Sequence, residues 1–314
     1  MKMLLPRNID FFVSWLGSFF AVSACHVSHG VGIVALRSSG RPRTLLSLML
    51  PFDFSQIRMH VFVVLTVRQE LSLDKLREMQ GRTHEDPLRE VAALQYLSRH
   101  PNVLNCTEAL WDEDSIYVVT PFYCGGEVFD ALAARGRFTE SEARPVFRQM
   151  LDGLMHLKAH GVCHRDLSLE NLLLTEGGVV KIIDFGLALR IPQTSDGGAV
   201  ILPPQGPCGK QYYMSPEVLT SSRGFDGFAV DMWACGIVLF VMLIGVPPFE
   251  IALPSRDRRC EIIAVEERLA HMLSEWEVPA LSPEVTDLIQ SCLLFAAERR
   301  PSLETLLNNP WVNS

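Results

Sequence analysis

Apolar positions along the chain fall into two regimes. Over the first seventy residues they come in runs, at 45–54 and 61–67, separated by the loop-like SSGRPR of 38–43. From about residue 75 the pattern turns periodic. DKLREMQ at 74–80 and DPLREVAALQYLSRH at 86–100 read as helical, with Leu88, Val91, Leu94, Gln95 and Leu97 spaced for one face. Asp86 followed by Pro87 marks a helix start, an N-cap ahead of proline at the first helical position. Residues 102–110 and 115–120 read as two strands joined by the acidic turn WDED. Helices are expected over 127–135 and 140–160, then a short strand at 179–183 that runs into Asp184. From Pro216 onward the pattern is mostly helical, and no internal repeat appears. Strands first and helices afterwards imply an α+β chain of two parts, with a junction near 121–126.

Two apolar stretches bear on a membrane. Residues 232–246 carry no charge but are short for a bilayer and follow Asp231, so a buried core helix is expected. Residues 11–25 follow Lys2 and Arg7 and end in small residues, which mimics a secretory signal, although Pro6 and Asp10 interrupt the approach. The 314 residues, 48% hydrophobic and 20% charged, describe an ordinary globular protein, long for a single core. A net charge of −8 without a basic stripe argues against nucleic acid as a partner. The acidic balance suits basic peptides and equally suits a plain soluble protein. Eight cysteines without a Cys-x-x-Cys pair argue against a disulfide scaffold or zinc site and for a reducing compartment.

The chemistry concentrates in the middle of the chain. His164-Arg165-Asp166-Leu167-Ser168-Leu169-Glu170-Asn171 follows a predicted helix, Asp184-Phe185-Gly186 begins thirteen residues after Asn171, and Met214-Ser215-Pro216-Glu217 closes the segment. One such triplet occurs by chance; three in this order do not. They resemble the catalytic loop, the metal-binding DFG and the APE-type motif of eukaryotic protein kinases. The general account of phosphoryl transfer is built on that family, so the roles are what the resemblance implies. Asp166 would accept the proton of the substrate hydroxyl. Asn171 and Asp184 would hold Mg2+ on the phosphates of ATP. Asp231 would brace the catalytic loop, and Glu217 with Arg300 would tie the activation segment to the helical lobe. GVPPFE at 245–250 and LLNNPWV at 306–312 extend the likeness, which covers about 84–313 and is most similar to the calcium/calmodulin-dependent Ser/Thr type. By the same resemblance Thr120 is the gatekeeper, Phe122 lies in the adenine-binding hinge, and Glu127 contacts ribose or a substrate arginine. Glu127 and Glu170 together imply basic residues near the acceptor; both also read as solvated surface charges.

The pattern breaks in two places. The family has lysine two residues after the catalytic aspartate and threonine in a Gly-Thr step before the APE-type motif. Here those positions are Ser168 and, in a Gly209-Lys210 step, Lys210. Either the positive charge has moved from 168 to 210, or the two changes are independent losses. Glu90 matches the helix glutamate that pairs with an ATP-anchoring lysine. The five lysines are 2, 75, 158, 181 and 210, which leaves Lys75 in a helical setting or Arg68 after the run 61–67 as the anchor. The glycine-rich loop is reduced to Gly30, Gly32 and Val34. Residues 39–69 resemble no part of the family; divergence and a mispredicted gene segment both account for that.

The expectation is therefore an α+β, bilobal protein-kinase fold. Residues 1–24 would be a divergent N-terminal segment, either signal-like or mispredicted, 25–121 a small β-rich lobe with a degraded glycine loop and third strand, and 122–314 a larger helical lobe. The expected function is ATP- and Mg2+-dependent transfer of the γ-phosphate to Ser or Thr of proteins; the alternative is a pseudokinase that scaffolds. Thr194 and Ser195 lie far ahead of Gly209, so no activating phosphothreonine is expected. Protein substrates, no nucleic acid, no membrane and a cytoplasmic setting complete the reading, with secretion as the alternative raised by residues 11–25.

Overall fold

Strand-forming runs at the N-terminus pair with the predicted strand pair around residue 115. The computed structural model describes residues 20–28, 31–38, 44–51, 64–72, 74, 87–111, 115–192, 200–221, 224–276 and 278–314. It divides into two compact units, Met1–Arg82 with Asn105–Phe122, and Thr83–Leu104 with Tyr123–Ser314.

The described residues of the first unit form one antiparallel sheet. Strands β1 (Phe20–Ser28), β2 (Val31–Ser38), β3 (Thr44–Pro51), β4 (Val64–Ser72), β5 (Glu108–Trp111) and β6 (Ser115–Pro121) lie in the order β1-β2-β3-β4-β6-β5. The run expected to end at Arg68 continues to Ser72. Pairing with β6 from Thr66↔Pro121 to Ser72↔Ser115 extends it and leaves Arg68 mid-strand, opposite Val119. Of the signal-like stretch, residues 20–25 lie in β1, with Cys25 opposite Val34; the rest lies outside the described residues.

The second unit is mainly helical. Its elements used below are α1 (Pro87–Tyr96), α2 (Val128–Arg135), α3 (Glu140–Ala159), β7 (Val162–Cys163), β8 (Leu172–Leu174), β9 (Val180–Ile182), β10 (Leu189–Arg190), α4 (Pro216–Thr220), α5 (Gly227–Ile244) and α6 (Pro283–Cys292). Helix α1 buries Val91 and Leu94, with Leu97 just beyond it, while Leu88 and Gln95 are exposed, a narrower face than the spacing suggests. This helix, counted above with residues 25–121, belongs to the second unit. Asn102 supplies part of the reason: its carbonyl accepts from Ile182 N–H at 2.9 Å, and its side chain donates to Val180 O at 3.0 Å and Gln149 Oε1 at 3.2 Å. The expected strand 102–110 is split accordingly, and only Glu108–Trp111 joins the sheet.

Helix α3 starts with a capping box, Thr139 N–H donating to Glu142 Oε2 at 2.9 Å, and buries Phe147, Met150, Leu151, Leu154 and Leu157. Asp226 caps α5 by accepting from Phe228 N–H at 2.9 Å. By length and composition α5 could cross a membrane, yet 89% of it is buried inside the unit, the core helix expected from residues 232–246. It packs against α6 so closely that a Cβ on Gly236 would sit 2.7 Å from Cys292 Cβ.

Candidate active site

Residues 164–171 link β7 to β8, and α5 fixes their backbone. Asp231, 3% exposed, accepts His164 N–H on Oδ2 and Arg165 N–H on Oδ1, both at 2.8 Å. Burial pushes the Asp231 carboxyl above the usual carboxylate range, against the opposing pull of His164 and the two main-chain donors. His164 reaches Ile183 O through Nε2 at 3.0 Å and meets the Phe185 ring edge-on. Arg165 is held at φ +68°. It donates to Gln205 Oε1 at 3.0 Å and Cys208 Sγ at 2.7 Å and stacks over Phe225.

The three residues expected to carry the chemistry are joined within this unit. Asn171 donates through Nδ2 to Asp166 O at 2.7 Å and Asp166 Oδ2 at 2.9 Å. Both donor hydrogens are thereby used, and Oδ1 is left as an acceptor. The β8–β9 hairpin returns the chain, and Ile183 N–H donates to Asn171 O at 3.0 Å. Asp184 follows at once, at φ +64°, with Oδ1 accepting from Gly186 N–H at 3.2 Å. An amide oxygen and a carboxylate are hard-oxygen donors of the kind magnesium takes.

Lys210 comes to the same carboxylate from the segment ahead of α4. Its main-chain N–H donates to Asp166 Oδ1 at 3.1 Å. Its ammonium donates to Ser168 Oγ at 2.7 Å and lies 3.6 Å from Asp166 Oδ2. Gly209, at φ +92°, makes the approach feasible, because a Cβ there would meet Asp166 Oδ1 at 3.0 Å and Arg165 O at 3.1 Å. The sequence placed Lys210 in a Gly209-Lys210 step but assigned Gly209 no role of its own; that step was the available signal.

Behind this segment Arg300, its side chain fully buried, donates to Glu217 Oε1 at 2.6 Å and Oε2 at 2.9 Å. Burial raises the Glu217 carboxyl, but the hydrogen bonds and charge of Arg300 outweigh it and hold the group below its ordinary value. Glu170 has one carboxylate oxygen buried without a hydrogen-bond partner. The neighbouring Tyr213 phenol is pushed well up by burial and then by Glu170.

The remaining candidates are spread over both units. Glu127 precedes α2 and bridges to Leu173. Glu90 is half-buried on α1. Within the first unit, Thr120 on β6 pairs with Val67, Phe122 follows that strand, and Arg68 is on β4. Gly32 and Val34 are in β2, opposite Val27 and Cys25 of β1. Gly30, Lys75, Thr194 and Ser195 lie outside the described residues.

The sequence profile of the Protein kinase domain matches residues 68–312. The chain belongs to the protein kinase family. This kinase domain is similar to CBL-interacting serine/threonine-protein kinase 24 of Arabidopsis thaliana, 37% identical over 228 residues, 72% of this chain and 47% of that protein. It is similar to CBL-interacting protein kinase 31 of Oryza sativa subsp. japonica, 34% identical over 240 residues, 76% of this chain and 50% of the relative. CBL-interacting serine/threonine-protein kinase 3 of Arabidopsis thaliana is 40% identical over 178 residues, 57% of this chain and 39% of that protein. The chain thus spans half or less of the length of these curated relatives. Gly30, Gly32 and Val34 fall ahead of the matched residues, and Arg68 is the first of them.

Proposed function

We propose that this chain is an ATP-dependent protein serine/threonine kinase. The observation that carries the reading is the Asn171 side chain bound to Asp166 Oδ2 at 2.9 Å while its carbonyl holds the residue before Asp184. Phosphoryl transfer asks a protein mainly for positioning and charge neutralisation. Asp166 orients the acceptor hydroxyl and takes its proton as the new P–O bond forms and the bond to the departing ADP oxygen breaks. Asn171 Oδ1 and the Asp184 carboxylate would hold magnesium, which when bound offsets phosphate charge. Family membership and the serine/threonine kinases among the relatives support the activity class.

Protein substrates with basic residues near the acceptor accompany this proposal, supported by the acidic side chains of Glu127 and Glu170. A cytoplasmic setting also accompanies it; the seven described cysteines are free thiols, the state a reducing compartment maintains.

The test is radiolabel transfer from γ-labelled Mg·ATP to a basic serine peptide, by wild type and by Asp166→Ala and Asp184→Asn. Wild type should label the peptide serine, and both variants should fall by about 100-fold or more. Labelling by wild type no higher than by Asp166→Ala would remove catalysis. Thermal stabilisation by Mg·ATP in that case would leave the nucleotide-binding scaffold as the function.

A further inference from the structure

The kinase reading assigns Asp166, Asn171 and Asp184 and leaves an unmet need. A carboxylate meeting a hydroxyl beside anionic phosphates requires a fixed positive charge nearby, and the catalytic loop supplies none at 168, where Ser168 is fully buried. Three other cations of the second unit have partners of their own. Lys158 is held by Glu304 at 2.7 Å, Lys181 lies over the Tyr123 ring, and Arg165 is bound to Gln205 and Cys208. Among the ion pairs of the described residues, the one that reaches Asp166 is made by Lys210, at 3.6 Å.

We infer that Lys210 is a positioning residue for the transfer reaction: it holds both Asp166 oxygens and brings the positive charge the catalytic loop lacks. The two explanations left open by the sequence differ in geometry. Independent losses would put no constraint on where the ammonium goes. A transferred charge must reach the space beside 168, and the ammonium is 2.7 Å from Ser168 Oγ and 3.6 Å from Asp166 Oδ2. The hydroxyl accepts from the ammonium, so the small side chain at 168 acts as a rest for the long one from 210. The main-chain N–H on Oδ1 and the ammonium near Oδ2 approach the two oxygens separately, which fixes the carboxylate plane.

A structural consequence separates this arrangement from one carried by the loop. The charge rides on the segment 208–210, so that segment must be ordered for turnover. The order has visible sources that need no phosphate: Cys208 is buried against Arg165, and Gly209 is packed on Asp166 Oδ1.

The inference rests on the kinase reading, and one set of variants tests the two separately. Lys210→Gln keeps the main-chain N–H and a polar side chain one atom shorter, and removes the charge. It should lower kcat by about 30-fold or more with peptide KM within about threefold, while Lys210→Arg keeps part of the rate. Lys210→Thr should be inactive to a similar degree, and adding Ser168→Lys should restore at least about tenfold of the loss. Ser168 is fully buried, so a second rescue is measured: ethylammonium added to Lys210→Ala should raise kcat in a saturable manner. A packing role would give neither rescue. Circular dichroism and melting confirm that each variant is folded. A Lys210→Gln rate within about threefold of wild type, or failure of both rescues, overturns this inference alone. A wild-type rate equal to that of Asp166→Ala overturns the kinase reading and this inference with it.

Discussion

Removing Arg300 should cost the second unit more than removing its partner, and removing both should cost less than removing Arg300 alone. The guanidinium has no exposed surface, donates twice to Glu217 at 2.6 and 2.9 Å, and also serves Ala229 O and Leu294 O, each at 2.9 Å. Arg300→Met strands the Glu217 carboxylate, only 17% exposed, and two carbonyls. Breaking a buried pair by losing one partner costs about 3–5 kcal/mol. Each carbonyl left dry adds about 1 kcal/mol or more. A cavity of about 740 Å³ lined by Glu217, Ala229 and Arg300 lets water reach the stranded groups and keeps the sum at its low end, about 5 kcal/mol. For a unit of this size that is a melting shift of roughly 10–20 °C. Glu217→Gln keeps an acceptor and leaves Arg300 its two carbonyls, so about 2 kcal/mol is expected. Arg300→Met with Glu217→Gln removes the stranded charge and should be more stable than Arg300→Met alone. Urea unfolding at pH 7, followed by circular dichroism, measures all four proteins. Additive costs, or an Arg300→Met cost under about 1 kcal/mol, would refute the reasoning. The pH dependence has a definite sign. Glu217 sits below its ordinary value of 4.5 in the folded chain, so its contribution is present above that pH and is lost as the pH falls through the lower folded value. Glu217→Gln should flatten the acid side of the stability profile.

Three further outcomes are expected. Gly209→Ala, forced against Asp166 Oδ1 at φ +92°, should lower kcat by about tenfold or more while the protein stays folded; unchanged kcat would show that the close approach is dispensable. His100 and His156 stack at 4.7 Å and are both held below 6.5, first by burial and for His100 then by His156, with Lys181 acting in the same sense and Asp152 opposing. The unfolded chain therefore takes up protons first, stability should fall as the pH drops below about 6.5, and His156→Gln should reduce that slope in urea titrations at pH 7 and 5.5. Asp231→Asn replaces one acceptor with a donor facing a main-chain N–H and should cost about 2 kcal/mol by melting, together with most of the turnover.

Legibility followed locality. Asp166, Asn171 and Asp184 stand in contiguous motifs, and a short hairpin closes the distance between them, so order and spacing along the chain disclosed them. The Asp231 and Arg300 contacts join distant segments, and only the resemblance of their local motifs to the kinase family pointed to them. Lys210 was legible as a departure, but its destination was not, because a left-handed turn at Gly209 decides where a flexible ammonium goes. Asn102 escaped notice as a junction between α1, α3 and β9, since a single buried amide leaves no periodic trace. Its hydrogen bonds also explain why one predicted strand became a bridge and a shorter strand. In the first seventy residues, continuous apolar runs carry no period by which to fix register, and Arg68 fell inside a strand whose end depended on its partner β6.

Helix α5 has an implication for how the protein is made. Its apolar surface is covered in part by α6, whose residues are translated some forty positions later, and Gly236 and Cys292 must come almost into contact. A nascent chain stalled or truncated between them would display a greasy rod that lipid bilayers and other unfinished chains recognise equally well. Shortened products ending before Pro283 should therefore depend on chaperones and accumulate in the insoluble fraction, whereas chains that extend past Cys292 can cover the rod themselves.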